Sequence, residues 1–102
     1  MDIAFQIQRA MKTGKVYLGF RQSEKSLLNG RARLVIIASN ARQDLKDRVE
    51  YLARLDGVPV YRFPGTSLEL GSVCGRPHAV SVLVVEDPGD SSILEIVKEA
   101  KT

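Results

Sequence analysis

The apolar positions of this chain alternate between two periods. Ile3, Ile7, Ala10 and Met11 recur at helical spacing, and Thr13-Gly14 supplies the stop. Val16 to Leu18 reads as a short strand ended by Gly19, and Ser23 to Asn29 as a second helix closed by Asn29-Gly30. Leu34 to Ala38 is a continuous apolar run, the pattern of a strand covered on both faces. Leu45, Val49, Leu52 and Ala53 restore helical spacing up to Gly57. Val58 to Phe63 reads as a strand whose Pro59 confines it to an edge or to the strand's opening residue. Thr66 and Glu69 have capping-box spacing at the head of a fourth helix running to about Cys74. Ala79 to Val85 is a last apolar strand, Asp87-Pro88-Gly89-Asp90 a turn, and Ile93, Leu94, Val97 and Ala100 a closing amphipathic helix. The alternation predicts an α/β domain, a three-layer α–β–α sandwich around a four-stranded mixed sheet.

Composition narrows the class. The 102 residues suit one domain with a genuine core, and 44% hydrophobic with 26% charged residues is a globular balance. The longest apolar runs, Leu34 to Ala38 and Val82 to Val85, fall far short of the roughly 18 residues of a membrane span. Asp2 and Gln6 interrupt Met1 to Ile7, so no secretory leader is expected. One cysteine, Cys74, makes no internal disulfide and suits a reducing, cytoplasmic setting. The net charge of +3 is unevenly spread. Met1 to Arg62 carries twelve Lys/Arg against six Asp/Glu, whereas Phe63 to Thr102 carries three against six. The basic excess of the first part serves either a polyanionic partner or a solvated face.

Catalytic signals are weak. Gly71 to Gly75 has neither the spacing nor the lysine of a phosphate-binding loop. The lone cysteine and the lone histidine, Cys74 and His78, lie four apart, whereas nucleophile and base normally come from distant segments. They cannot form a Cys/His metal site. Glu86-Asp87 reads as solvated turn. No enzyme, cofactor or metal is expected, and a small enzyme built on Cys74 or His78 is the reading to test against.

Binding signals are better. If the first two strands run parallel, the segments Gly19-Phe20-Arg21-Gln22 and Ser39-Asn40-Ala41-Arg42 open onto one edge of the sheet. Both place amide, hydroxyl and guanidinium groups beside helix N-termini, which favour phosphates. Each has a structural alternative. Asn40, with Gln43 three residues on, has the spacing of an N-cap; Arg21 and Arg42 can be surface charges; Gly65 and Gly75 can be turn residues.

The succession Gly19-Phe-Arg-Gln-Ser-Glu-Lys25, Leu34-Val-Ile-Ile-Ala-Ser-Asn-Ala41, Glu50-Tyr-Leu-Ala53, Val60-Tyr, Gly65-Thr-Ser-Leu-Glu-Leu-Gly71 and Gly75-Arg-Pro-His-Ala-Val80 covers nearly the whole chain. It resembles the L-thirty-e family of large-subunit ribosomal proteins of archaea and eukaryotes, part of a superfamily of kink-turn RNA binders. The resemblance implies an α–β–α sandwich and makes residues 1–102 a single kink-turn RNA-binding domain. It also implies ribosomal RNA and neighbouring ribosomal proteins as partners, no membrane, and a monomer when isolated. The alternative home is a guide-RNA or RNA-processing ribonucleoprotein.

By position, the resemblance implies that Gly19 permits close backbone approach to RNA and that Arg21 and Gln22 reach the sheared G·A pairs. Asn40 reads base edges with an amide that both donates and accepts. Lys25 and Arg42 contact phosphates, while Gly65, Thr66 and Glu69 buttress the site. The Val73-to-Ala79 loop, with Gly75, Arg76 and His78, cradles an extruded nucleotide. The sequence departs from the sister branch, which typically has Asn-Glu at Arg21-Gln22, and some relatives carry an aromatic at His78.

Overall fold

The computed structural model describes residues 3–95. Helix α1 (Ile3–Thr13) leads into β1 (Lys15–Leu18), α2 (Phe20–Leu28), β2 (Leu34–Ala38), α3 (Gln43–Leu55), β3 (Val60–Phe63), α4 (Ser67–Val73) and β4 (Val82–Asp87). Ile93 to Glu95 are helical, and the rest of the predicted closing helix lies outside the described residues. The sheet order is β1-β4-β2-β3, with β4 antiparallel to both its neighbours and β2 parallel to β3. The expected mixed four-stranded sheet is thus present, and β3 is an edge strand as Pro59 implied.

Side chains alternate across each strand, so the sheet separates two cores. Leu34, Ile36 and Ala38 face a cluster containing Ile7 of α1, Leu70 of α4, Leu83, Val85 and Ile93. Val35 and Ile37 face the other, with Leu27 of α2, Val49 and Leu52 of α3, Val82 and Val84. Every residue of β2 is buried, which explains its unbroken apolar run.

Several local expectations need correction, among them the start of β3, which opens at Val60 rather than Val58 because Pro59, lacking an N–H, stands before it. Helix α2 begins at Phe20 rather than Ser23, because Gly19, at φ 96°, turns the chain and its carbonyl accepts from Ser23 N–H at 3.1 Å to close the first turn. Arg21 and Gln22 therefore stand on a helix, not in a loop. Strand β4 runs over Val82–Asp87 rather than Ala79–Val85, since pairing with Lys15 carries it through Asp87. Glu86 is consequently a strand residue that accepts a hydrogen bond from Ser26 Oγ at 2.6 Å, not a solvated turn carboxylate.

Candidate nucleic-acid interface

Because β4 is antiparallel to β1 and β2, and β3 is parallel to β2, strands β1, β2 and β3 point the same way. Their carboxyl ends and the start of β4 meet at one end of the molecule. Backbone hydrogen bonds tie these four segments together. Gly19 N–H donates to Val82 O at 2.8 Å, Ala38 N–H to Ser81 O at 2.8 Å, and Ser39 N–H to Gly65 O at 3.0 Å. Val80 N–H donates to Ser67 O at 2.9 Å, and Lys46 Nζ reaches Ser39 O at 3.1 Å. The same end thus gathers Gly19, Ser39, Asn40, Gly65, Thr66 and the segment after Gly75.

Asn40 is not the cap of α3; Arg42 occupies that position and makes no side-chain cap bond. Asn40 Oδ1 instead accepts from Ser67 N–H at 2.7 Å, at the head of α4. Local spacing pointed to the wrong helix, because the true partner is 27 residues away along the chain. Gln43 is engaged elsewhere, its Nε2 donating to Asp47 Oδ1 at 2.7 Å. With the carbonyl held, the Asn40 amide N–H groups have no hydrogen-bond acceptor among the described residues. Asn40 is thus both a tie between β2 and α4 and an exposed donor.

Thr66 caps α4 as its spacing predicted: its Oγ1 accepts from Glu69 N–H at 3.2 Å. The Glu69 carboxylate lies against Gly65, where an added Cβ would collide with Oε2 and approach Phe63 Cε2 to 2.7 Å. The Glu69 carboxylate can swing aside, so it is the buried Phe63 ring that favours glycine at this position. Gly75 is required by its backbone angle, φ +76°, as the left-handed residue that ends α4. Its N–H donates to Ser72 O and that of Arg76 to Gly71 O, both at 2.9 Å, which turns the chain back along the helix.

The polar side chains expected to meet RNA are exposed. Arg21, Gln22 and Lys25 lie on the first two turns of α2, and Arg76 and His78 lie on the segment between α4 and β4. Arg42 instead pairs with Asp44 at 2.9 Å, with side chains 77% and 64% exposed, so this contact is worth little and yields readily to a phosphate. Cys74 and His78 make no catalytic pair. Cys74 is 7% exposed, and burial pushes its thiol up from 9.0 to about 11 despite the opposing charge of Arg76. His78 is exposed, with Nδ1 3.4 Å from Ala79 O.

Sequence reasoning missed Gly71 and Ser67, and read Ser39 only as a loop hydroxyl. A Cβ on Gly71 would collide with His78 O and lie 3.4 Å from Val80 N, so this glycine lets the segment after Gly75 pack against α4. A glycine inside a seven-residue helix was the available signal, since it costs about 1 kcal/mol relative to alanine. Ser39 Oγ donates to Gly65 O at 2.9 Å. No local signal marks these pairings, because the partners of Ser39 and Ser67 lie in loops 26 and 27 residues away. Among the described residues, no group of His, Cys, Asp and Glu could hold a metal ion, and no helix is long and apolar enough to cross a membrane.

Known proteins resemble this chain along nearly its whole length. Residues 1–95 match the family described as ribosomal protein L7Ae/L30e/S12e/Gadd45. The chain is 49% identical over 100 residues to the large ribosomal subunit protein eL30 of Pyrobaculum calidifontis, covering 98% of this chain and 99% of that one. It is 52% identical over 97 residues to the eL30 protein of Methanothermobacter thermautotrophicus, covering 95% and 99%. The eL30 protein of Pyrobaculum islandicum is 48% identical over 100 residues, covering 98% and 99%. Matches of this length span every strand and all the loops at the tied end of the sheet. The chain therefore belongs to the ribosomal protein L7Ae/L30e/S12e/Gadd45 family.

Proposed function

We propose that this chain is a structural, non-catalytic protein of the large ribosomal subunit in the cytoplasm, and that residues 1–102 act as one domain binding ribosomal RNA at a kink-turn. The observation that carries the reading is Asn40. Its carbonyl is held by Ser67 N–H at 2.7 Å, which fixes the orientation of an amide whose donors have no protein acceptor among the described residues. A fixed, exposed amide is what base-edge recognition requires, and RNA offers base edges where helices are interrupted. Exposed Arg21, Gln22 and Lys25 on α2, and exposed Arg76 and His78 between α4 and β4, supply further polar groups for the RNA.

The relatives described above are all named as large-subunit proteins, which favours the ribosome over a guide-RNA particle. Titration with a kink-turn RNA and a twin whose sheared G·A pairs are replaced by Watson–Crick pairs tests the proposal. The expected result is saturable binding to the first and a loss of at least about a hundredfold with the second. This size follows from several base-edge contacts each worth about 1–3 kcal/mol. Equal affinity for both RNAs refutes kink-turn recognition.

A further inference from the structure

On the flank of the sheet away from β3, α2 and edge strand β1 border a polar cleft of about 160 Å³. One buried water needs only about 10–15 Å³ of such space, so the cleft has room for a larger guest. Gln22, Ser26 and Asn29 recur at i, i+4 and i+7, so one stripe of α2 continued by its C-cap residue Asn29 forms one wall. In β1, Val16 and Leu18 pack into the core with Ile7 and Leu83. Tyr17 therefore stands on the opposite face, where it lines the cleft and stays 39% exposed.

Glu86 enters from β4 at a break in register. Lys15 pairs with Asp87 and Val16 with Val85, so Glu86 has no residue opposite it. Bulges of this kind re-aim side chains. Here Glu86 Oε2 accepts from Ser26 Oγ at 2.6 Å, which anchors the carboxylate. Lys25 and Arg31 also line the cleft, yet neither forms an ion pair with Glu86. Among the described residues, the Ser26–Glu86 bond is the only one made by the side chains lining the cleft.

The chemistry of the set selects a guest. An exposed aromatic ring stacks an unpaired base, and two cations suit the flanking phosphates. An anchored carboxylate with an oxygen to spare accepts from neighbouring N–H donors. Among the bases, guanine presents an imino and an amino donor side by side on its Watson–Crick edge.

We propose that this cleft takes one unpaired guanosine from a single-stranded stretch of RNA, stacked on Tyr17, with its donors on Glu86 and its phosphates against Lys25 and Arg31. The inference rests on the RNA-binding reading and extends it. The tied loops hold the kink-turn, and the cleft holds a neighbouring strand that reaches it along α2.

The test titrates the isotopically labelled full chain with a short single-stranded RNA carrying one guanosine among adenosines, and with its all-adenosine twin. Backbone amide signals of Tyr17, Ser26, Asn29 and Glu86 are followed by NMR. The expected result is a shift of these signals with about tenfold preference for the guanosine strand. Glu86→Gln should abolish that preference, and Tyr17→Ala should weaken both strands by about tenfold. Neither variant should change affinity for a minimal kink-turn RNA without flanking strands, which also reports that both are folded.

Equal binding of the twins, or shifts confined to other residues, overturns the proposal. So does a response to an arginine-rich peptide in place of RNA, which would make the cleft a protein-docking point. Loss of kink-turn binding with the cleft response intact would instead overturn the proposed function and leave the guanosine site standing.

Discussion

The two roles of Asn40 separate cleanly in a pair of substitutions. Asn40→Ala removes both the carbonyl that accepts from Ser67 N–H at 2.7 Å and the amide donors. Asn40→Asp keeps an acceptor oxygen in the same place but removes the donors and adds a negative charge. Helix α4 has only seven residues, too few to persist without tertiary support, so the loss of an N-terminal acceptor is felt directly. The expected cost for the alanine variant is about 1 kcal/mol. In a domain of this size that lowers the melting temperature by about 4–8 °C.

The aspartate variant should melt at or above the wild-type temperature, because a carboxylate at a helix N-terminus gains about 0.3–1 kcal/mol from the helix dipole. Kink-turn affinity should respond differently. On the proposed reading the alanine variant loses a base-edge contact worth about 1–3 kcal/mol, roughly fivefold to 150-fold. The aspartate variant should bind still more weakly, since its charge meets RNA phosphates. Thermal melts by circular dichroism and affinities by fluorescence anisotropy, on the same preparations, give both readouts. An aspartate variant that binds kink-turn RNA like wild type would show that the amide donors do not touch RNA. One that melts as low as the alanine variant would show that the contact with Ser67 does not hold α4.

Three further outcomes follow from packing and burial. Gly71→Ala should destabilise the chain by about 1–3 kcal/mol in urea unfolding, because its Cβ would collide with His78 O, although alanine is the better helix former; a more stable variant would refute the close approach. Ser23 is 0% exposed and its Oγ has no hydrogen-bond partner among the described residues, so Ser23→Ala should stabilise by up to about 1 kcal/mol, and a loss of that size in the same assay would contradict the assignment. The Cys74 thiol titrates at about 11 in the folded chain, above its ordinary 9.0, so the unfolded chain binds fewer protons between these values. Stability should fall as pH rises through about 9 to 11, a decline that Cys74→Ala should flatten when unfolding is measured across that range.

What could be read from the residues followed from the range of the interactions involved. The helices over Ile3–Thr13 and Gln43–Leu55 and the buried strand Leu34–Ala38 are set by periodicity within a few residues, and they appear where spacing placed them. The start of α2 was misplaced because a glycine with φ 96° and no side-chain cap begins it, and no spacing rule marks such a start. The limits of β4 depend on pairing with Lys15, far away in the chain. In the candidate site, Thr66 was legible because its capping partner Glu69 is three residues on. The partner of Asn40 was not, since the bond crosses from one strand's loop to another helix. Gly71 carried a signal that its neighbours masked. It reads as an unremarkable glycine until the returning segment is seen against it.

The sheet has two open borders, β1 and β3, of four residues each. One carries Lys15 and the other Arg62 behind Pro59, and both charged side chains are exposed. Short, cationic margins of this kind are poor templates for another copy's backbone. A strand added by a second copy would have to cover these charges, at β3 together with the Arg62–Glu50 pair at 3.3 Å, so the sheet resists extension from either side.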